Sequence, residues 1–473
     1  MIPENLRFGG GPSMTFLHPA VALALLICGT LMFVLPRTRA VVPFLVAAIL
    51  IPPDQVLLIG GMHFPTIRVL TLFALARILK SRFSERTPLF SGGLNRLDLV
   101  VILLSLFSAI NALLLWQELQ ALVAQVGELY SVFGVYFFLR FVTRDQEDML
   151  FTIRTFAYIV AIVGVLMIYE QANSWNPYAF LGGSRSTVYA TGIERDGHFR
   201  AMGSFAHPIL AGTFGAVLVP LFVGLWLKDP RHRASALIGI AGATAMTVAC
   251  DSSTPLIAYI AGVFALCLWP ARQYMRVIRW SIVITLICLH LVMKAPVWHL
   301  ISRIDLTGGS SSYHRFMLVD GFIRHFGDWW LLGTKSNADW GWCMWDQANQ
   351  YVAVGQTSGL LPFLCFLTII TYGFGYVGRA RRAPGIDKRT RLFLWAVGAA
   401  LFANVVAFFG ISYFDQTIVA WYALLGMIAA AAGQKAPVHS EHQVPEFSSL
   451  QPNLSSDSPA EELKMPALSP FRS

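Results

Sequence analysis

Residues 310–360 read SSSYHRFMLVDGFIRHFGDWWLLGTKSNADWGWCMWDQANQYVAVGQTSGL, the body of a polar interval that runs from about Val297 to Gly355. Long apolar runs flank it on both sides, so its reading divides the chain into a membrane part and a part that handles something polar. Serines 310–312 predict a helix start, since a serine oxygen accepts from the free N–H groups of a first turn. At 100° per residue, Phe316, Val319, Phe322, Ile323 and Phe326 then share one face, and His314, Asp320, Arg324 and His325 lie off it. Arg315 falls in the middle of that apolar face. A guanidinium there is costly unless it snorkels, pairs with a structural partner, or meets an anion in a cavity.

Working outward, the composition fixes the class. Of 473 residues, 56% are hydrophobic and only 13% charged; a soluble protein carries about 25% charged residues. An all-α polytopic membrane protein is expected, of about 12–13 transmembrane helices with two large extracytoplasmic loops that contain short helices. The net charge of +9 does not imply nucleic acid, because the basic residues lie at helix ends, as the positive-inside rule requires. The six cysteines are scattered, mostly inside apolar runs, which implies neither a disulfide framework nor a metal site. The first apolar segment lacks a basic leader and reads as a permanent span, not a cleaved signal.

Apolar runs of spanning length begin near residues 17, 41, 64, 97, 122, 149, 207, 235, 255, 280, 357, 392 and 413. Pro52, Pro53 and the Gly60–Gly61 pair soften the boundary between the second and third. Arg37/Arg39, the run from Arg77 to Arg96, Arg140/Arg144, Lys228/Arg231/Arg233, Arg272/Arg276/Arg279 and the run from Arg379 to Arg391 fall on alternate connections. Those connections are expected in the cytoplasm. The opposite side receives the two loops, about 170–206 and 297–355. Three parts follow: a short leading segment 1–16, a transmembrane domain 17–433, and a Pro-, Ser- and Glu-rich tail 434–473 expected to be disordered.

Several polar groups need a reason to be where they are. Arg185, Arg195 and Arg200 cluster on the outer side, where positive charge is otherwise avoided; they suit lipid headgroups or an anionic ligand. Arg200 precedes Gly203, which permits a tight turn, and the His207–Pro208 pair, where proline suits a first helical position. His207 reads first as a satisfied helix-end histidine. Asp251 reads as the cap of the following helix, and Asp415 beside Gln416 as an acid that faces protein or a water-filled cavity. In the closing stretch Trp345–Tyr351, Asp346 and Asn349 fall on nearly one side of a first helical turn. Asp346 is then either an N-cap or a carboxylate beside a helix N-terminus that suits a diphosphate or a sugar. Trp329, Trp330, Trp340, Trp342 and Trp345 read mainly as interfacial anchors of the loop.

Two sparse motifs carry a resemblance. Arg200-Ala201-Met202-Gly203-Ser204-Phe205-Ala206-His207-Pro208 and Asn349-Gln350-Tyr351 with Gly359, set in many helices with a large outer loop, resemble the O-antigen ligase and polysaccharide polymerase family. The resemblance spans about residues 40–432. It implies an integral-membrane, C-type glycosyltransferase that needs no metal and no cofactor. Its expected partner is an oligosaccharide on undecaprenyl diphosphate, together with membrane lipid and other polysaccharide export and assembly proteins. Its expected place is the bacterial inner membrane, with the active site facing the periplasm.

Carried over, the family's two arginines fall on Arg200 and Arg315, which would neutralise the diphosphate leaving group. Asp346 is the first candidate for the base, with Asp415 and His207 behind it. Asn349 and Tyr351 would orient the sugar or the loop, and Arg195 and His314 complete the candidate substrate contacts. The chain departs from the ligase pattern at Ala348, where a histidine is usual. It departs again at Ser252-Ser253-Thr254-Pro255, where a Ser–Arg pair is usual. Both departures lean toward an exopolysaccharide polymerase, with transfer to a lipid or protein acceptor as the alternative. A flippase or an assembly scaffold are the rivals from other classes; sparse charge within the helices and the absence of an evident internal repeat count against a transporter.

Overall fold

The computed structural model describes residues 16–60, 62–84, 88–182, 193–195, 197–303, 311–344 and 347–433, with only the backbone of Ser84, Arg195 and Ser311. The leading segment and the tail expected after residue 433 lie outside these residues, as do Arg185, Trp345 and Asp346. The chain is an all-α polytopic membrane protein. Its long helices are α1 (Pro19–Val34), α2 (Val41–Leu50), α3 (Thr66–Ser84), α4 (Arg96–Trp116), α5 (Leu119–Val142), α6 (Gln146–Asn173) and α7 (Pro208–Lys228). They continue with α8 (Arg233–Ala249), α9 (Ser253–Cys267), α10 (Met275–Val292), α11 (Ser311–Arg324), α12 (Gln350–Ser358), α13 (Leu360–Arg382), α14 (Lys388–Ala407) and α15 (Gln416–Gly433).

A helix begins within a few residues of each of the thirteen expected spans. Among the described residues, eight are long and apolar enough to cross a bilayer: α4, α5, α6, α7, α10, α13, α14 and α15. Helix α2 is the clearest departure from a simple span, because Ile51-Pro52-Pro53 ends it after 10 residues. At 1.5 Å per residue it covers only about 15 Å. It is tolerated because Val41, Phe44, Leu45, Ala48 and Ile49 are all buried in protein, not matched to lipid. The soft boundary beyond it folds as an antiparallel hairpin of β1 (Val56–Ile59) and β2 (Met62–Pro65).

Helix α7 is the axis of the bundle and is buried along most of its length. Small residues let its neighbours approach: a Cβ on Gly215 would stand 2.9 Å from the Ala243 carbonyl, and one on Gly164 would stand 2.7 Å from the Gly242 carbonyl. Without a hydrophobic drive between helices in lipid, such close backbone contact is what holds a membrane bundle together. At the other extreme, α10 buries none of its residues and meets lipid all round.

The connections sort onto two faces. On the basic face, Arg37 pairs with Asp148 at 2.8 Å, joining the α1–α2 and α5–α6 connections. There too Lys228 lies 3.6 Å from Asp387, joining α7–α8 to α13–α14. Asn95 caps α4 in a capping box with Asp98. The Asp98 carboxylate also accepts from the Tyr136 hydroxyl and lies 3.5 Å from Arg140, and both charged side chains are fully buried. On the opposite face, the loop face, lie the two hairpins, α11, α12 and the candidate site residues that are described.

Candidate functional site

The Arg200 segment is held more tightly than any other part of the loop face. A second hairpin, β3 (Ile193–Arg195) and β4 (His198–Arg200), delivers Arg200 to the turn between α8 and α9. Its side chain is only 5% exposed. The Nε donates to the Cys250 carbonyl at 3.2 Å, and the next backbone amide, of Ala201, donates to Ala249 at 3.0 Å. These carbonyls close α8, so the guanidinium rests on the negative end of a helix dipole, where a cation is favoured.

Gly203 then turns the chain with φ +57°, a conformation that costs other residues more. Glu170, fully buried in the last turn of α6, accepts from the amides of Met202 at 3.1 Å and Gly203 at 2.7 Å. The Asn176 amide donates to the Gly203 carbonyl at 2.7 Å. Ser204 donates to the Ile49 carbonyl at 2.6 Å, and the Gln416 amide donates to the Ser204 carbonyl at 2.9 Å. Burial pushes the nearby Tyr178 hydroxyl up to about 12, so it remains a protonated donor. His207 is the N-cap of α7, its Nδ1 accepting from Ile209 at 3.2 Å, with Pro208 in the first helical position. This is the helix-end histidine the sequence suggests.

Arg315 lies on α11 and is 6% exposed. The buried face of that helix is Ser312, Arg315, Leu318 and Phe322, turned away from the face expected from apolar spacing: Ile323 and Phe326 are 44% and 45% exposed. The reason is the partner. Leu318 and Phe322 pack with Trp329, Trp340, Met344 and Val352 into a small core of their own, and Gly355 of α12 seats the Phe322 ring. Trp329 and Trp340 are thus core residues, a correction to their reading as interfacial anchors. His314 donates from Nε2 to the Cys343 carbonyl at 2.9 Å, fastening the 341–344 loop beside Arg315. That loop leads directly toward Asp346, the candidate base, which lies outside the described residues.

Two capping expectations need correction. The helix after the second loop starts at Gln350, and its N-cap is Asn349, not Asp346; Asn349 Oδ1 accepts from Tyr351 at 3.0 Å and Val352 at 3.1 Å. The Asn349 amide donates to Phe409 at 3.4 Å, and the Tyr351 hydroxyl donates to Val405 at 3.0 Å. Both side chains bond backbone partners, which ties the start of α12 to the end of α14 and the turn after it. Asp251 does not cap α9 either: it sits in the left-handed region at φ +41°, and Ser252 holds the N-cap position without a side-chain bond.

The turn between α14 and α15, residues 408–415, gathers these parts. The Gln350 amide donates to Phe408 at 2.8 Å, and Gln350 Oε1 accepts from Tyr413 at 2.6 Å. Thr254 reaches the Gly410 carbonyl at 3.3 Å, where any Cβ on Gly410 would collide with it. Asp415, half-buried at φ +50°, ends the turn, and its neighbour Gln416 holds Ser204. The Arg200 segment and the α11–α12 unit that carries Arg315 are therefore fixed to neighbouring points, the first residue of α15 and the turn just before it. Of Arg195 only the backbone is described, in β3. Glu170, Asn176 and Gln416 were not singled out in the sequence; an acid in the last turn of an apolar helix was the signal available for Glu170. No group of three potential metal ligands gathers among the described residues. No protein-family model matches this chain. No curated protein matches it either.

Proposed function

We propose that the protein is a glycosyltransferase of the polysaccharide polymerase type, joining glycan units carried on undecaprenyl diphosphate at the outer face of a bacterial inner membrane. The observation that carries the reading is the pair Arg200 and Arg315. Two almost completely buried guanidiniums on separate loop-face segments, fixed to neighbouring points, suit a doubly charged phosphate group better than they suit a surface.

In this reading the acceptor sugar hydroxyl attacks the anomeric carbon, the C–O bond to the diphosphate breaks, and the anomeric configuration inverts. Lipid diphosphate departs with the electron pair, and the two arginines stabilise the charge that develops on it. The hydroxyl proton passes to a carboxylate, for which Asp346 is the first candidate. Because diphosphate leaves readily, a weak base acting late in the transition state is enough.

The test is purified protein supplied with lipid-linked oligosaccharide. Chain growth with release of lipid diphosphate is expected, and its loss in Arg200→Ala and Arg315→Ala at unchanged protein level. Full polymer formation in both variants would remove the diphosphate clamp, and translocation of the substrate without growth would make the protein a flippase.

A further inference from the structure

The basic face carries a cavity that the proposed chemistry does not use. It holds about 360 Å³ and lies between the connection before α4, the end of α13 and the end of α15, with Ser91, Asn95, Tyr376, Arg379, Ala383 and Ala431 in its wall. Among the described residues, no aspartate or glutamate lines it. The Arg379 guanidinium stands 4.6 Å over the Tyr376 ring and enters no ion pair among the described residues. A second cation backs the wall: buried Arg140 donates to the Ser91 carbonyl at 2.7 Å and to the Gly93 carbonyl at 3.4 Å. Its charge is offset by Asp98, so among the described residues the charge left for a ligand at the opening is that of Arg379. Gly92 and Gly433 close one side by backbone contact, since a Cβ on Gly92 would lie 2.8 Å from the Gly433 Cα.

We infer that this cavity binds a phosphate ester, the headgroup of an anionic lipid in the leaflet on the basic face. At about 30 Å³ per water-sized group, the volume takes roughly a dozen such groups, the size of a phosphoglycerol head with part of its glycerol backbone. Arg379 supplies the guanidinium for the phosphate oxygens, Ser91 and Asn95 supply polar contacts beside it, and the alanines accept the start of the acyl chains. Basic pockets between transmembrane helices on this side recognise anionic headgroups by the same physics. Occupancy would tie together three elements far apart in sequence, α4, α13 and α15.

The full chain in neutral detergent is titrated with phosphatidylglycerol, with phosphatidylcholine as the uncharged-net control, and binding is read by native mass spectrometry and thermal melting. Phosphatidylglycerol is expected to bind and to raise the melting temperature, and Arg379→Gln to weaken binding about tenfold, the loss of one charge-assisted contact. Ala383→Trp, which fills the cavity from the connection after α13, is expected to abolish binding while the lipid-free melting temperature stays put. Competition with glycerol 1-phosphate separates the sources. Displacement at millimolar concentration means that the phosphate ester alone suffices, and no displacement means that the acyl chains contribute; each supports the site. Equal phosphatidylglycerol binding by wild type, Arg379→Gln and Ala383→Trp would overturn the inference.

Discussion

Arg140 on the basic face and Arg200 on the loop face are both buried guanidiniums, and the protein accommodates them differently. Arg140 lies against a carboxylate, Asp98, which a tyrosine hydroxyl and a backbone amide also satisfy. Arg200 is anchored through its Nε to a helix-end carbonyl, that of Cys250. The acids differ in the same way. Asp98 faces a cation, whereas Glu170 is cradled by the amides of Met202 and Gly203. One face neutralises charge with charge and thereby locks helices together. The other holds a buried acid with backbone amides, which fixes the Met202–Gly203 turn to the end of α6.

The sharpest break of this comparison is Arg140→Ala. It strands Asp98 in the core and is expected to cost about 3–5 kcal/mol, the usual result of removing one member of a buried pair. Adding Asp98→Asn should recover part of that loss, measured by thermal melting in detergent. On the loop face, Glu170→Gln keeps the shape but trades a carboxylate for an amide, weakening two charge-assisted bonds; a loss of about 1.5–3 kcal/mol is expected. The distinguishing readout is local: hydrogen exchange at the Met202 and Gly203 amides should accelerate while α4 and α5 remain protected. Uniform acceleration across the bundle would show that the two faces do not differ in kind.

The smallest effect belongs to Asp387, which caps α14 and lies beside Lys228. The hydrogen bond from Thr390 holds its carboxyl below the usual aspartate value. A depressed pKa contributes stability above the unfolded-state value, and that contribution disappears as pH falls through the folded-state value. Asp387→Ala is expected to cost about 1 kcal/mol, chiefly the lost cap, since the carboxylate is mostly exposed and its pair with Lys228 contributes little. The gap between variant and wild type in melting temperature should close on acidification below the ordinary aspartate range. A gap that stays constant there would assign the effect to something other than the carboxylate.

What could be read in the chain alone follows from local rules. A helix begins within a few residues of each of the thirteen apolar runs, and eight of these helices, among the described residues, have spanning length, because hydropathy is a property of a segment by itself. Basic connections sort correctly onto one face, as the Arg37–Asp148 and Lys228–Asp387 contacts show. His207 as a helix-end residue and the start of α11 at Ser311 were equally legible, since a cap depends on the next three residues only. The length of α2 was not. Nor was the turn of α11 that buries Leu318 and exposes Ile323, which the packing partner decides. Asn349 takes the cap expected of Asp346, and its amide also reaches Phe409, 60 residues away.

Sequence, then, determined the class of the molecule, the order of its helices and the presence of two outer arginines that want an explanation. Tertiary structure decided which residues surround those arginines: the α8 carbonyls at Arg200, the separate small core around Arg315, and the neighbouring points, the 408–415 turn and the first residue of α15, that hold the two segments. The physical reason is reach. Hydrophobicity and capping act within a few residues along the chain, whereas the bonds from Glu170 to Gly203 and from Gln416 to Ser204 join segments that only folding brings within 3 Å.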